Sequence, residues 1–565
     1  MQAMILAAGV GKRLGKYTRN GTKCMVEVAG RTLVERAFSA LINAGIQKII
    51  LVVGHKADLL RGFIDQRYPA LDVEYIENPD YESTNNIYSL WLARHKLLED
   101  HTLLLESDVI FHDDVISRLL ESNAQDMAVV SRFEMWMDGT VATLDGDDDI
   151  SRIIDKSDFE WESSGEYYKT VNIYKFSREF SRNFYLPFLE AYVRSFGHNQ
   201  YYEQVLTILA KTSASRIKAL KIEAAIWYEI DDLHELSIAE TIFADDTGRY
   251  DALTEQNGGY WRYPNVVDFR EPVLPGYPPE NMIKELEKMF PVLLTRRPSD
   301  WSTQDLLAAN FLGIDPDSVV AAPGFNALLS SIPNHDSAEI RKRATVHLEE
   351  LLSDGASSEF IIVDESGLEL LSGKNTVTFL QDEILGSYKN LVVVKRISDY
   401  HGVRGLNLAV AASGNRKLIS EIRATLLNSQ RCSFTEYWLQ IAPKYRQQYS
   451  ISCLRFQETW RELKEMLQNI PGVFAEASGA RHLKIKLHLV EPTSSLEIST
   501  SILSHFNLLV ETSQDPERLS RDVCIRVACR SATENRRLTV ALGSMLRPDS
   551  SAPYASQSGL DSGES

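Results

Sequence analysis

Five basic side chains, Lys12, Arg13, Lys16, Arg19 and Lys23, crowd the stretch that follows the apolar run QAMILAA at residues 2–8. They open with Leu6-Ala7-Ala8-Gly9-Val10-Gly11-Lys12-Arg13. Glycines directly after a strand let the backbone approach a phosphate chain and aim its N–H groups at the oxygens. A G-x-G alone is equally a tight turn. Here it sits in a local reversal of sign within a chain whose formal net charge is −18, which points to an anionic ligand. The spacing is not that of a Walker loop, since G-x-x-x-x-G-K-[ST] does not occur there. Two further apolar runs end in acids: LLLESDV sets Asp108 at a strand terminus, and WYEIDDL does the same for Asp231, with Glu106 and Asp232 beside them. Strand alternation turns Glu106 to the same face as Asp108.

These side chains need a scaffold, and the hydrophobic period supplies one. Strands are expected at 2–8, 48–53, 72–76 and 102–106, with helices near 32–45, 57–67 and 86–97 between them. Such alternation predicts an α/β fold with a mostly parallel sheet, persisting to about residue 243. Residues 244–280, rich in Gly, Pro and aromatics without periodicity, read as a linker. A second α/β unit is expected over 281–548, with strands in FIIVDES and NLVVVKRIS, followed by a disordered tail over 549–565. A chain of 565 residues exceeds a single core, which agrees with two domains.

Bulk properties narrow the function. The acidic balance argues against nonspecific binding to nucleic acid or anionic membrane, where basic surface supplies the affinity. No apolar run is long enough to span a bilayer, and MQAMILAAG has no basic leader, so neither an anchor nor a signal peptide is expected. Five cysteines without a CxxC pair fit buried thiols in a reducing cytoplasm.

The N-terminal segment resembles the signature of the sugar-phosphate and alcohol-phosphate nucleotidyltransferases, roughly L-A-A-G-x-G-x-R followed by P-K. The resemblance implies a Rossmann-like, GT-A-like sheet whose loop, Leu6 to Lys12, cups the nucleotide. It gives Arg13 to the leaving pyrophosphate and Lys23 to the α-phosphate region. It makes Asp108 and Asp231 the ligands of a Mg2+ that bridges the phosphates, a hard cation suited to oxygen. One departure stands out: Thr22 replaces the proline before the lysine. The implied chemistry needs no protein nucleophile, because an anionic acceptor oxygen attacks the α-phosphorus in line.

The run NPDYESTNNIYSL at 78–90 resembles the phosphocholine cytidylyltransferase branch and not the G-T-A/G-L-A segments of hexose-1-phosphate enzymes. Asn85 and Asn86 are then expected to read a pyrimidine edge, with a helix N-cap as the alternative for Asn85. MDGTV, YYKTVNIYKF and GHNQYYEQVL resemble cytidylyltransferases fused to aminotransferase-like domains, the 2-aminoethylphosphonate cytidylyltransferases among them. Lys156 falls where related enzymes hold the substrate phosphate. Lys169 and Glu203 are candidate substrate contacts, Glu203 for an ammonium, with solvated surface charge as the alternative. The expected partners are CTP and a small phosphorylated amino-alcohol, amino acid or phosphonate. UTP or dTTP with a sugar 1-phosphate is the competing pair.

The second half resembles class I/II pyridoxal-phosphate (PLP) aminotransferases of the histidinol-phosphate type, through IIVDES, VVVKRISDYHGVRGLNLA and CIRVACR. Asp399 stands where the family has its Schiff-base lysine, Asn407 where it has its phosphate arginine, and APGFN where it has G-N-G-A-S. An aspartate forms no imine, and losing the arginine removes the main phosphate counter-charge. Asp364, for the pyridine nitrogen, and Arg530, for a substrate carboxylate, are retained; Lys395 is the nearest substitute amine. The segment between the phosphate loop and IIVDES is short, with one helix-like stretch at 337–355. The expectation is a truncated pseudo-aminotransferase domain without PLP, serving as scaffold, regulator or homodimer surface. A bifunctional transferase and PLP enzyme is the alternative.

Overall fold

The computed structural model describes residues 1–212, 216–223, 226–256, 258–333, 340–342, 361–370, 378–427, 429–512 and 515–546. It divides into two units, Met1–Val266 and Val267–Ser565. In the first, apolar runs become strands β1 (Gln2–Ala7), β2 (Lys48–Val53), β3 (Asp72–Glu77) and β4 (Thr102–Glu106). Helices α1 (Leu33–Asn43), α2 (Ala57–Arg67) and α3 (Asn86–Ala93) connect or precede them, as the alternation predicts. β1 pairs parallel to both β2 and β4, and β2 to β3. Strand period places Ala3, Ile5 and Ala7 in the core under α1, and Met4 and Leu6 in the core under α3. Covered on both faces, β1 reads as an unbroken apolar run.

Seven further elements complete the nine-stranded sheet or flank it, the first five being β5 (Val109–Phe111), β6 (Met127–Arg132), β7 (Val141–Leu144), β8 (Ile150–Ile154) and β9 (Tyr168–Phe176). β10 (Lys218–Ile222) joins β6, and β11 (Trp227–Glu229) pairs with β5 outside that sheet. The order across it is β8-β7-β9-β4-β1-β2-β3, with β9 antiparallel to β4. Helices α4 (Glu203–Ala210) and α5 (Leu233–Ile242) follow β9 and β11 respectively.

Residues 244–280 fall on both sides of the division. Asp246–Glu255 is helical, with Tyr250 and Leu253 buried, while Phe269, Leu274 and Tyr277 belong to the core of the second unit. The second unit holds a sheet of β12 (Val319–Ala322), β13 (Ile340–Lys342), β14 (Ile361–Asp364), β15 (Leu391–Arg396) and β16 (Ala409–Ala412), ordered β12-β16-β15-β14-β13. A four-stranded antiparallel sheet lies in the same unit. Within the helix-like stretch expected at 337–355, Ile340–Lys342 instead pairs as a strand with β14, and the rest lies outside the described residues. The tail at 549–565 also lies outside them. Among the described residues no helix is long and apolar enough to cross a membrane, and the five cysteines are free.

Candidate active site

Parallel pairing sets Leu6 of β1 opposite Glu106 of β4, so both chains leave the sheet at the same edge. There the loop from Ala8 turns through Gly11, whose φ of +65° is left-handed. A Cβ at Gly11 would lie 3.1 Å from the Lys23 Cβ, so glycine here lets the lysine stem pack against the loop. Arg13 follows in a 3-10 turn, exposed to solvent. Thr22, where proline was expected, is buried in extended conformation, its hydroxyl 3.0 Å from the Cys24 sulfur. It still starts the short turn that carries Lys23.

The acids arrive from two separate segments. β5 runs antiparallel to β11 with Val109 opposite Glu229, and the Ile230 N–H donates to the Asp108 carbonyl at 2.9 Å. That register brings Asp108 and Asp231 to one point. The Lys23 ammonium donates to Asp108 Oδ2 at 2.5 Å and to Asp231 Oδ1, while Arg13 pairs with Asp231 Oδ2 at 2.7 Å. Burial works against the Lys23 charge, but the two carboxylates outweigh it and hold its pKa above the ordinary value. Burial likewise raises Asp231, and Lys23 with Arg13 overcomes that to leave it below the usual carboxylate range. Asp232 is occupied elsewhere: it caps α5, accepting from the His234 and Glu235 N–H groups, and Glu235 returns the favour to the Asp231 and Asp232 amides.

The donor set fits a magnesium ion. Asp108 Oδ1 is buried with no hydrogen-bond partner, and Asp108 and Asp231 offer hard oxygens from one side. No group of three metal-ligating side chains occurs among the described residues. A cation here would complete its shell with water and ligand oxygens, as magnesium does.

Behind these acids lies a partly buried carboxylate layer that the sequence hardly advertised. Asn86 donates to Glu106 at 3.0 Å and to Glu203 at 3.4 Å, and its carbonyl accepts from the Tyr202 N–H at 3.0 Å. Its amide is therefore committed to the protein, whereas Asn85 caps α3 by accepting from the Asn86 N–H at 2.9 Å. Lys169 is buried, 3.2 Å from Glu229 and 2.8 Å from the Thr170 carbonyl; it is not a solvated surface charge, and neither is Glu203. Asn172, left-handed at φ +60°, donates to Glu229 at 3.3 Å. Burial pushes the Glu203 carboxyl up to about 7, and burial plus the neighbouring Asp108 and Glu203 charges raises Glu106 well above its ordinary value. Trp136 stacks on Tyr228 with centroids 4.9 Å apart, and the Tyr202 hydroxyl is buried without a hydrogen-bond partner. Glu229 stands two residues before Asp231, and strand period was the one signal that could have paired them. Lys156 is exposed and pairs with Asp138 at 2.7 Å, next to Gly139, where a Cβ would lie 3.4 Å from the Lys169 ammonium.

In the second unit, Asp364 accepts from the Ser366 N–H at 2.9 Å. Asn407 adopts φ +49° and donates to the Pro323 carbonyl at 3.3 Å. Arg530 spends its guanidinium on the Asp268 and Glu271 carbonyls, each at 2.8 Å, and on Glu534 at 2.9 Å. Lys395 is buried against Glu369, on the strand face it shares with Val393.

Residues 3–228 match the family model described as MobA-like NTP transferase domain. Across 97% of this chain and 95% of the relative, the sequence is 26% identical to CMP-5'-(3-aminopropyl)phosphonate synthase of Streptomyces rubellomurinus. Over 20% of this chain and 45% of the relative it is 34% identical to 2-aminoethylphosphonate cytidylyltransferase of Lancefieldella rimae. Among solved structures, CTP:phosphocholine cytidylyltransferase of Streptococcus pneumoniae is 22% identical at a TM-score of 0.35, covering 43% of this chain and 98% of its own. The histidinol-phosphate aminotransferase of Clostridium acetobutylicum is 15% identical at 0.42, covering 50% and 99%. The first unit is thus a nucleotidyltransferase domain. More narrowly, residues 3–228 match the MobA-like NTP transferase model, and the resemblance read from the first half of the sequence is borne out.

Proposed function

We propose that the first unit transfers CMP from CTP to a small phosphate or phosphonate that bears an amine, and releases pyrophosphate. The observation that carries this reading is Lys23 clasped between Asp108 and Asp231 beneath a glycine loop, with Arg13 on the outer oxygen. An acceptor oxygen forms a new bond to the α-phosphorus while the bond to the bridging oxygen breaks, and its electrons leave with pyrophosphate. Lys23 neutralises charge near the α-phosphate, and Arg13, solvent-exposed and paired with Asp231, turns to meet the pyrophosphate. Asp108 and Asp231 would hold magnesium, which supplies further neutralisation of the phosphate oxygens. The loop amides of Gly9 to Lys12 orient the nucleotide, leaving Asn85, the less committed of the two asparagines, for the base.

The acceptor's amine suits the layer of Glu203, Glu106 and Glu229, where a cation meets carboxylates. Relatives named for aminopropylphosphonate, aminoethylphosphonate and phosphoglutamine chemistry support the same class. A pyrophosphate-release screen tests it: CTP, UTP, ATP and dTTP against phosphocholine, phosphoethanolamine, phosphoserine, 2-aminoethylphosphonate and glucose 1-phosphate. CTP with an aminated acceptor is expected. Preference for UTP or dTTP with glucose 1-phosphate would replace this reading with the sugar-nucleotide one.

The second unit does not fit PLP. Asp399 replaces the imine lysine, Asn407 the phosphate arginine, and Lys395 faces Glu369 on the other side of β15. We read it as non-catalytic, a scaffold that pairs the chain into a cytoplasmic homodimer. Equilibrium sedimentation of the full chain tests the pairing, and a monomer would dismiss it.

A further inference from the structure

The site that PLP would need has not closed up. A cavity of about 280 Å³, at the small end of the range for ligand sites, is lined by Phe325, Asn326, Arg396, Asp399 and Asn407 among others. Alternation along β15 sends Arg396 to this face, together with Val394, and Lys395 to the opposite one. The Arg396 guanidinium stacks 3.8 Å from the Phe325 ring centroid and stands 3.7 Å from Asp364, a loose pair. Its Nε is buried and has no hydrogen-bond partner. Three residues on, the Asp399 carboxylate makes no hydrogen bond or ion pair among the described residues; Arg481 binds its backbone carbonyl, at 2.8 Å, and not its side chain. Asn326 and Asn407 add amide groups to the same wall.

A guanidinium held only by a loose pair and a carboxylate without a hydrogen-bond partner among the described residues, lining one small cavity, are complementary to a molecule carrying both charges. An arginine fork recognises carboxylate and phosphonate alike. We infer that this cavity is a non-covalent binding site for a small zwitterion, its anionic head on Arg396 and its ammonium on Asp399. The exchange of a lysine for Asp399 then converts a covalent cofactor site into a receptor for a free amino acid or aminophosphonate.

Calorimetric titration of the full chain tests this with four probes: 2-aminoethylphosphonate, L-alanine, and the singly charged methylphosphonate and ethylamine. Glu203→Gln serves as background, so that binding at the first unit's acceptor layer is discounted. The two zwitterions distinguish a phosphonate from a carboxylate head. Saturable binding of at least one zwitterion is expected in that background, weakened about tenfold or more by Arg396→Gln. Asp399→Asn is expected to weaken the zwitterion and leave methylphosphonate affinity unchanged, which a general loss of folding would not do. Arg396→Gln should keep the wild-type nucleotidyltransferase rate. Absence of saturable zwitterion binding, equal affinity in Arg396→Gln, or an Asp399→Asn variant that binds the zwitterion as wild type does would overturn the proposal. So would a borohydride-stable pyridoxyl adduct on the second unit.

Discussion

The Lys23 ammonium lies 2.5 Å from the Asp108 carboxylate, although the two stand 85 residues apart in the chain. The same ammonium reaches Asp231, so one cation holds together both acids that would bind magnesium. This arrangement keeps two partly buried carboxylates compatible before nucleotide arrives.

Asp108→Asn removes the charge without changing volume. Turnover should fall about a hundredfold or more, with folding intact by circular dichroism. Asp231→Asn should behave alike, and the double variant should lose far less than the product of the two, since both act through one ion. Pyrophosphate release measures all three. Wild-type turnover by Asp108→Asn at saturating magnesium would remove this residue from the site.

Lys23→Met should separate two roles of the lysine. Without the competing ammonium, Asp108 and Asp231 should bind magnesium about tenfold more tightly in the absence of nucleotide. Turnover should nevertheless fall about a hundredfold or more, because the α-phosphate loses its cation. Calorimetry with magnesium alone checks the first half, and unchanged or weaker metal binding contradicts it.

CTP should exceed UTP by about tenfold or more in kcat/KM, since an amide can accept from the cytosine amino group and disfavours the uracil carbonyl. Asn85→Ala should narrow that ratio. Equal specificity constants in the wild type would defeat the assignment.

Glu203→Gln should raise the KM of an aminated acceptor about tenfold with little change in the KM for CTP. The Glu203 carboxyl is pushed up to about 7 by burial, so it is protonated below that and gains charge above it. Acceptor KM should therefore fall as pH rises from about 6 to about 8, and the variant should lose that dependence. A pH profile of KM with a fixed-charge choline acceptor isolates the protein group.

His401 sets a pH limit on the second unit. It stacks on Tyr449 with centroids 4.0 Å apart, and burial lowers its pKa from 6.5 to about 4, with Glu369 opposing and Lys395 assisting the shift. Below pH 6.5 the unfolded chain takes up a proton that the folded unit refuses. Stability is therefore full above that value and declines toward pH 4, by about 2 kcal/mol between about pH 7.5 and pH 5. Denaturant unfolding of the full chain at both pH values should show this loss in the second unit's transition, and His401→Gln should abolish it.

Sequence alone carried the strand–helix alternation, the phosphate loop, and the candidacy of Arg13, Lys23, Asp108 and Asp231. Period, glycine placement and local charge are short-range properties, legible without a fold, while the roles of those four residues came from the resemblance. The resemblance of the second half to aminotransferases implied the loss of an imine lysine, because Asp399 stands at its place. Tertiary structure decided the rest. That Lys23 clasps both acids depends on β1 lying beside β4 and β5 on β11, a register no local pattern encodes. Asn86 looked like a base reader, yet the approach of Tyr202 and Glu203 from a distant segment spends its amide. Lys156, given to a substrate phosphate by resemblance, pairs with Asp138 at the surface, a partner the sequence did not announce. Lys169 and Glu203 read more readily as surface charge, and only the place of β9 within the sheet and the packing of α4 against it bury them. A buried polar group is defined by what surrounds it, and its surroundings come from parts of the chain that meet only in the fold.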